Sequence, residues 1–320
     1  MPTLLSQLEQ YSTVVADTGD LQAVRRFAPR DATTNPSLVL KAVVTGHYDT
    51  LLHDLCALAK AADLPHAQAI EQLSDQLIVA LGCDLLQHVP GRVSSEVDAR
   101  LSFDTQASLA KARRLVALYE AAGVPRQRFL IKLAATWEGI RAAHELEREG
   151  IQCNLTLIFS LAQARACAEA GAFLISPFVG RVLDWHRRTY PGREYAPASE
   201  PGVQLVAASY RFMRRHGYAT SVMGASFRNV GEIVALAGCD RLTISPALLE
   251  EMAVTKGSLQ AALAAPVEHQ APSSPLSEAD FRWQMNEDTM ATEQLAEGIR
   301  GFAADQSKLE ALIARRLGEH

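Results

Sequence analysis

Residues 153–178, CNLTLIFSLAQARACAEAGAFLISPF, contain the unit that decides the fold. The apolar segment 153–159 is followed by a helical pattern that Ser160 can cap and Gly171 can end. A second apolar segment, 172–178, begins directly after that glycine. Strands that are apolar on both faces are typical of a parallel sheet covered by helices. The stretch therefore predicts the order strand, helix, strand.

Segments of the same kind recur along the whole chain between longer amphipathic stretches. We predict eight strands, at residues 13–16, 31–34, 92–97, 128–133, 153–159, 172–178, 221–225 and 241–245. Eight strands, each followed by helix, are the count of a (β/α)8 TIM barrel, an α/β fold. An open doubly wound sheet is the alternative, but no GxGxxG turn follows any of these strands. The barrel is therefore preferred.

Further helices interrupt or follow the regular alternation. We predict several helices in an early insertion at 38–89, and two helices around the loop 189–202. After the last strand we predict a helix at 246–265, a linker at 266–275 and a C-terminal helical extension at 278–320. The extension has an apolar face that can cover the barrel or a second subunit, formed by Trp283, Leu295, Ile299, Phe302, Leu309 and Ile313. We expect a single barrel domain over residues 1–320.

The composition of this 320-residue chain restricts its partners. Its 31 basic and 36 acidic side chains leave a net charge of −5, so we expect no nucleic-acid binding, which requires a basic surface. The five cysteines lack CxxC or Cys/His ligand spacing, which argues against a disulfide framework and against a zinc site. No apolar run reaches the roughly 18 residues of a membrane span, and the first residues lack a secretory signal pattern. We expect a cytoplasmic protein with no membrane association.

In a parallel barrel, side chains at the carboxyl ends of the strands face the active-site mouth. Lys132, inside the segment FLIKLA (129–134), is the most informative of these residues, because a strand between helices has little room for a solvated ammonium. Burial disfavours the charged form of a lysine and so favours a nucleophilic amine that can form a Schiff base. The alternative is a structural lysine that pairs with a carboxylate or extends to solvent.

Two carboxylates at other strand ends strengthen the catalytic interpretation of that lysine. Asp17 and Glu96 can supply general acid/base catalysis and can pair with the amine. The alternatives are that Asp17 caps the short helix after it, and that Glu96 pairs with Arg92 or Arg100.

Arg181, Ser226 and Arg228 suggest an anion site, because TIM barrels often bind phosphate near the seventh and eighth strands. In the alternative interpretation Arg181 pairs with Asp184 on its own helix, and Arg228 is an ordinary first-turn residue. Asn35 also has a local explanation, as the cap of a helix that begins at Pro36.

Seven motifs contain these residues: TVVADTGD (13–20), DATTNPSL (31–38), SEVDARL (95–101), IKLA (131–134), CNLTL (153–157), ISPFVGR (175–181) and MGASFRN (223–229). Together they closely resemble the transaldolases of the pentose phosphate pathway. The resemblance runs in order from near residue 11 to past residue 300. It implies a class I aldolase-type barrel in which a lysine forms a Schiff base with a ketose phosphate.

The resemblance also implies a role for each catalytic residue. Lys132 corresponds to the Schiff-base lysine, and the resulting iminium is the electron sink, so no metal or other cofactor is expected. Asp17 takes the proton of the C4 hydroxyl as the C3–C4 bond breaks. Glu96, through a water held by Thr156, shuttles protons while the Schiff base forms.

The remaining implied residues bind the sugar phosphate. Those that hydrogen-bond the dihydroxyacetone unit are Asn35, Asn154 and Ser176. Those that bind the substrate phosphate are Arg181, Ser226 and Arg228. Those that shape the pocket wall are Thr33 and Phe178. The resemblance further implies a homodimer.

Two competing functions remain. A related class I aldolase would release free dihydroxyacetone from fructose 6-phosphate, whereas Glu96 together with Phe178 favours transfer. A non-catalytic sugar-phosphate-binding barrel would keep the arginines but would need no Schiff-base lysine.

Overall fold

A computed structural model describes residues 2–264, 269–272 and 274–318. Eight parallel strands pair in chain order and close into a barrel through the contact between the first and the last. The strands are β1 (Thr13–Asp17), β2 (Asp31–Thr33), β3 (Val93–Glu96), β4 (Phe129–Ala134), β5 (Cys153–Ile158), β6 (Leu174–Pro177), β7 (Ser221–Gly224) and β8 (Arg241–Ile244). Each predicted strand is found within two residues of its predicted ends, and the TIM barrel is confirmed.

The helices surround this barrel. In chain order they are α1 (Leu4–Leu8), α2 (Leu21–Phe27), α3 (Pro36–Val44), α4 (Asp49–Ala61), α5 (His66–Leu86), α6 (Thr105–Ala121), α7 (Trp137–Arg148), α8 (Leu161–Glu169), α9 (Gly180–Thr189), α10 (Pro201–Arg215), α11 (Val230–Val234), α12 (Pro246–Val254), α13 (Glu278–Glu287) and α14 (Thr289–Gly318). Short 3-10 turns lie at Ala99–Leu101, Arg126–Arg128 and Pro197–Ser199. No helix in the described part of the chain is long and apolar enough to cross a membrane.

The predicted start and end signals around α8 are both present. Ser160 accepts a hydrogen bond from the Gln163 N–H, and the Gln163 side chain bonds back to the Ser160 N–H, which completes a capping box. Gly171 follows the helix with φ = 78°, a left-handed conformation that glycine adopts without strain. Local sequence therefore fixes both ends of the crossover between β5 and β6.

The helix predicted at 246–265 is shorter than expected. It ends at Val254, and residues 255–264 form no helix, while residue 265 lies outside the described residues. Tertiary contacts override the local helical pattern: Thr255 O accepts a hydrogen bond from the Leu4 N–H, and Leu259 and Leu263 are buried. Of the predicted linker at 266–275, residues 266–268 and 273 lie outside the described residues, and its other residues form neither helix nor strand.

The C-terminal extension predicted at 278–320 forms α13 and α14, and its residues 319 and 320 lie outside the described residues. Helix α14 packs against α3 and α5. Of its predicted apolar face, Ile299, Phe302, Leu309 and Ile313 are buried against the core. Leu295 is half-buried and packs against the core. Trp283 is the exception, because it is 61% exposed on α13.

A small apolar cluster fills the inside of the barrel; it consists of Val15, Leu130, Leu174 and Met223. Because side chains two apart in a strand share a face, Asp17 lies one layer above Val15, and Lys132 one layer above Leu130. The apolar layer thus forms the floor under the polar strand ends.

Candidate active site

A cavity of about 240 Å³ opens at the carboxyl ends of the strands. Ten of the predicted site residues line it: Asp17, Thr33, Asn35, Lys132, Thr156, Ser176, Phe178, Arg181, Ser226 and Arg228. The other two do not line the cavity but contact residues that do: Glu96 is paired with Lys132, and Asn154 is bonded to Ser176. The structure therefore brings the whole predicted set together.

Strand register explains why the central charged residues meet. Glu96 on β3 is the register partner of Lys132 on β4, which in turn is the partner of Asn154 on β5. Partners in a parallel barrel point to the same side, so these three side chains form one inward row. The relative position of these three side chains is therefore set by the backbone pairing of the strands.

Lys132 is buried, with only 5% of its surface exposed. Its Nζ lies 3.0 Å from Glu96 Oε2 and 3.3 Å from the carbonyl oxygen of Thr34, to which it donates. Burial raises the pKa of Glu96, while the Lys132 charge lowers it in part. A carboxyl of this kind can take a proton from the neighbouring amine and return it.

The alternative pairing of Glu96 with an arginine is wrong. Arg100 instead forms ion pairs with Asp98 and Glu310. The alternative for Lys132, an ion pair with a carboxylate, is observed, but it joins the lysine to the very group expected to exchange protons with it. Pairing and catalysis are therefore compatible at this position.

Asp17 lies on the other side of the pocket, at the end of β1. Its Oδ1 accepts a hydrogen bond from Thr33 Oγ1 at 3.1 Å, and Thr33 also contacts Thr243 Oγ1 at 2.9 Å. Burial raises the pKa of Asp17, and the Lys132 charge and the Thr33 hydrogen bond oppose that rise. The expected alternative, capping of α2, is wrong because Asp20 is the cap.

The polar groups beside the lysine form a second network. Ser176 Oγ donates to Asn154 Oδ1 at 2.7 Å, and Asn154 Nδ2 donates to Ser94 Oγ at 3.1 Å. Thr156 is fully buried and its hydroxyl has no hydrogen-bond partner in the described structure. A buried hydroxyl without a partner is suited to bind a water or a substrate atom.

Asn35 combines a structural contact with its place in the pocket wall. Its Oδ1 accepts a hydrogen bond from the Leu38 N–H and caps α3, whose first residue is Pro36. The cap prediction is confirmed. The side-chain oxygen is occupied by this bond, whereas the residue still faces the cavity.

Arg181 and Arg228 lie close together because the segments that follow β6 and β7 are joined by backbone hydrogen bonds. The Val179 N–H donates to Ala225 O at 2.8 Å, and the Gly180 N–H donates to Ser226 O at 2.5 Å. A Cβ at Gly180 would lie 2.4 Å from that Ser226 oxygen, so only glycine permits the approach. Ser226 has φ = 62°, an uncommon left-handed conformation for a serine.

The expected ion pair between Arg181 and Asp184 is wrong. Asp184, on α9, pairs with Arg228 in the loop after β7, at 2.7 Å from Nη2. Arg181 has no acceptor for its guanidinium among the described residues. Burial and the neighbouring Arg228 charge lower the pKa of Arg181. Two adjacent guanidinium groups, one of which forms no ion pair in the described structure, are suited to binding an anion.

The residues predicted to bind substrate leave out several residues of the cavity wall, chiefly Met223, Phe227, Thr243, Ser245 and Phe302. Thr243 and Ser245 end the eighth strand, so the strand-end rule does place them at the barrel mouth, although it gives them no role. Phe302 comes from α14, and no local signal places a C-terminal helix over the barrel mouth.

A larger depression, of about 850 Å³, lies at the opposite end of the barrel. Its wall carries the amino-terminal residues of β1, β7 and β8, where barrels do not place their chemistry. Within the described residues, no group of three or more His, Cys, Asp or Glu side chains is arranged to hold a metal ion.

The fold and the strand-end cavity define a TIM-barrel enzyme site. The family model described as Transaldolase/Fructose-6-phosphate aldolase matches residues 14–313, and the chain belongs to this family. It is 58% identical over 317 residues to a protein of Aeromonas salmonicida named Transaldolase, covering 99% of this chain and 100% of that one. It is 56% identical over 317 residues to a Transaldolase of Shewanella putrefaciens, covering 99% of each chain.

Proposed function

We propose that the protein is a transaldolase, a transferase of the non-oxidative pentose phosphate pathway. It transfers a dihydroxyacetone unit from sedoheptulose 7-phosphate or fructose 6-phosphate to glyceraldehyde 3-phosphate or erythrose 4-phosphate. The observation that carries this proposal is the buried amine of Lys132, 3.0 Å from Glu96, in a cavity that also contains Arg181 and Arg228. Membership of the family supports the same reaction class.

In the first step, the neutral amine of Lys132 attacks the C2 carbonyl of the ketose. Glu96 accepts the proton that leaves the nitrogen, and a water held by Thr156 carries protons to the carbinolamine oxygen. Loss of that oxygen as water gives the iminium. Burial raises the pKa of Glu96, which favours its return of the proton to a reacting group.

In the second step, Asp17 removes the proton of the C4 hydroxyl. The C3–C4 bond breaks, its electron pair moves to the iminium, and an aldose phosphate leaves. The enamine that remains on Lys132 then attacks the aldehyde carbon of the acceptor, and Asp17 returns the proton to the new hydroxyl. Hydrolysis of the Schiff base releases the new ketose and restores the amine.

The three-carbon unit must stay in place between these steps. Asn35, Asn154 and Ser176 are proposed to hydrogen-bond its hydroxyls, and Thr33 and Phe178 to form the wall around it. The Ser176–Asn154 bond of 2.7 Å supports this role, because it fixes the orientation of the amide before substrate arrives.

The phosphate group is proposed to bind between Arg181, Ser226 and Arg228. Two guanidinium groups offer paired donors to phosphate oxygens, and this anchors the distant end of the sugar. Anchoring holds C2 against the amine, so binding energy is used for orientation.

An aldolase that releases free dihydroxyacetone is the second candidate, because the family description also names fructose-6-phosphate aldolase. Assay of fructose 6-phosphate with and without an aldose phosphate acceptor separates the two. A transaldolase forms sedoheptulose 7-phosphate with erythrose 4-phosphate and releases little free dihydroxyacetone, whereas an aldolase releases it at the same rate in both assays.

We propose further that the protein works in the cytoplasm as a homodimer of one barrel domain with a helical extension. The family resemblance supports the dimer. Light scattering during size-exclusion chromatography tests it, since a monomer has a mass of 34.8 kDa and a dimer has twice that mass.

Borohydride trapping tests the central chemistry. The protein is incubated with fructose 6-phosphate, reduced, digested and analysed by peptide mass spectrometry. We expect a reduced three-carbon adduct on Lys132. Absence of an adduct with both fructose 6-phosphate and sedoheptulose 7-phosphate would contradict the Schiff-base mechanism and favour a binding protein.

A further inference from the structure

The C-terminal helix α14 contributes directly to the candidate active site. Gly298 and Phe302 are four residues apart and therefore lie on the same helix face. A Cβ at Gly298 would lie 2.7 Å from Leu157 Cδ2 and 3.3 Å from Arg181 Nη1, so the helix rests on Leu157 and Arg181. Phe302 lines the cavity itself.

Phe302 and Phe178 hold the guanidinium of Arg181 between them. The Cζ atom of Arg181 lies 5.2 Å from the centroid of the Phe178 ring and 5.5 Å from the centroid of the Phe302 ring. Both rings are buried. An aromatic face attracts a cation and offsets part of the cost of its burial. The arginine is thus oriented by two rings, one from β6–α9 and one from α14.

The two arginines of the site are held by different means. Arg228 is fixed by its ion pair with Asp184, which uses some of its N–H donors. Arg181 has no acceptor in the described structure, so its donors remain available. An acidic partner would compete with a phosphate, whereas an aromatic ring orients the guanidinium and leaves every N–H free.

We propose that Phe302 is a positioning residue for Arg181 and thereby sets the affinity of the site for the phosphate group of its sugar substrate. This inference rests on the proposed function for the identity of the substrate. It makes phosphate binding depend on α14, a helix that follows the barrel in the chain. It also assigns a role to Phe302, a residue that does not lie at a strand end.

The simplest competing explanation is that Phe302 only packs α14 onto the barrel, as Ile299 and Leu309 do. A packing residue would lower stability when shortened but would not change affinity for phosphate selectively. The Lys132 amine also lies 5.9 Å from the Phe302 centroid, so a change there could affect the chemical step instead. The test must therefore separate stability, binding and turnover.

The experiment compares Phe302→Leu, Phe302→Tyr and the packing control Ile299→Ala in the full-length protein. Calorimetry measures the Kd of inorganic phosphate, and steady-state assays measure KM and kcat for fructose 6-phosphate. We expect Phe302→Leu to raise both Kd and KM by roughly five- to tenfold, with kcat changed less than about twofold. Phe302→Tyr keeps the ring and should restore both values, and Ile299→Ala should leave both unchanged.

A double-mutant cycle tests whether Phe302 acts through Arg181. In an Arg181→Met background, Phe302→Leu should cause no further rise in the Kd of phosphate, because the group that it positions is absent. An equal rise in the Kd of phosphate on Phe302→Leu in both backgrounds would overturn the proposal. So would an unchanged Kd of phosphate in Phe302→Leu, or an effect of that variant on kcat alone. Phosphate binding is measured without turnover, so failure of the proposed transaldolase reaction would leave this test intact.

Discussion

The amine nitrogen of Lys132 lies 3.0 Å from Oε2 of Glu96, and both residues are about 95% buried. The two are register partners on neighbouring strands, so the barrel backbone sets their separation. A buried ion pair contributes little net stability, because desolvation offsets most of the attraction. Its placement beside a polar cavity fits the proposed proton exchange better than a role in stability.

Lys132→Met should abolish turnover while leaving the protein folded. The variant removes the only amine proposed to form the Schiff base, and turnover should fall by roughly four orders of magnitude or more. Glu96 loses its cation, but its pKa is already raised by burial, so it can become protonated instead of staying charged. A coupled enzyme assay and a thermal melt monitored by circular dichroism measure the two properties.

Lys111→Met is the matched control for that variant. Lys111 is also largely buried and ion-paired, with Asp75 at 2.9 Å, but it lies outside the cavity. The Lys111→Met variant should be less stable than the wild type but should keep its activity. Residual activity of Lys132→Met near the wild-type value would reject the proposed nucleophile.

Asp17→Asn should stop the reaction after the Schiff base has formed. Asparagine keeps the size of the side chain but cannot take the C4 hydroxyl proton, so the C3–C4 bond stays intact. Borohydride trapping with fructose 6-phosphate should then give a six-carbon phosphorylated adduct on Lys132, in contrast to the three-carbon adduct of the wild type. A three-carbon adduct from the variant would assign proton removal to another group.

Arg228→Ala should weaken phosphate binding with little effect on the chemical step. Loss of a charge-assisted contact corresponds to roughly ten- to a hundredfold in KM for fructose 6-phosphate. We expect kcat to change by less than about threefold at saturation. Arg126→Ala, at a surface ion pair with Glu120, serves as the control. A large fall in kcat at unchanged KM would contradict the anion-site assignment.

The strand-end residues were predictable because their positions follow from local sequence. An apolar segment interrupted by a lysine identifies both the strand and the polar position on it, and parallel pairing brings such ends together. This is how Asp17, Glu96 and Lys132 were found without knowledge of any contact. The cap at Asn35 followed from equally local rules.

Contacts between segments distant in the chain were not predictable. Arg181 and Asp184 have helical spacing and suggested a pair, yet the joined loops bring Asp184 to Arg228 instead. Residues 255–264 have a helical composition, but the contact between Thr255 and Leu4 directs them along the barrel. Phe302 has the pattern of an ordinary core residue, and only the docked position of α14 places it in the cavity.

A buried pair of carboxyl groups lies beside the proposed anion site. Glu200 and Glu232 are 3% and 0% exposed, and Glu232 is the group with the largest effect on the Glu200 carboxyl. Glu232 also accepts the Arg228 N–H at 2.7 Å, which links the pair to the loop that carries Arg228. Burial, followed by the hydrogen bond and charge of Glu232, raises the pKa of Glu200 to about 8. Arg187 opposes this rise and Asp184 adds to it.

Glu200→Gln should make stability less dependent on pH. Between the ordinary glutamate pKa of 4.5 and about 8, the folded wild type retains a proton that the unfolded chain releases, so its stability falls as pH rises. Glutamine carries no such proton and can still donate to Glu232. The Tm of the variant minus that of the wild type should therefore increase between about pH 5 and about pH 9. Melting curves across this pH range measure the difference in Tm, and Glu194→Gln, at an exposed glutamate, is the control. A difference in Tm that is constant with pH would show that Glu200 is already ionised in the folded protein.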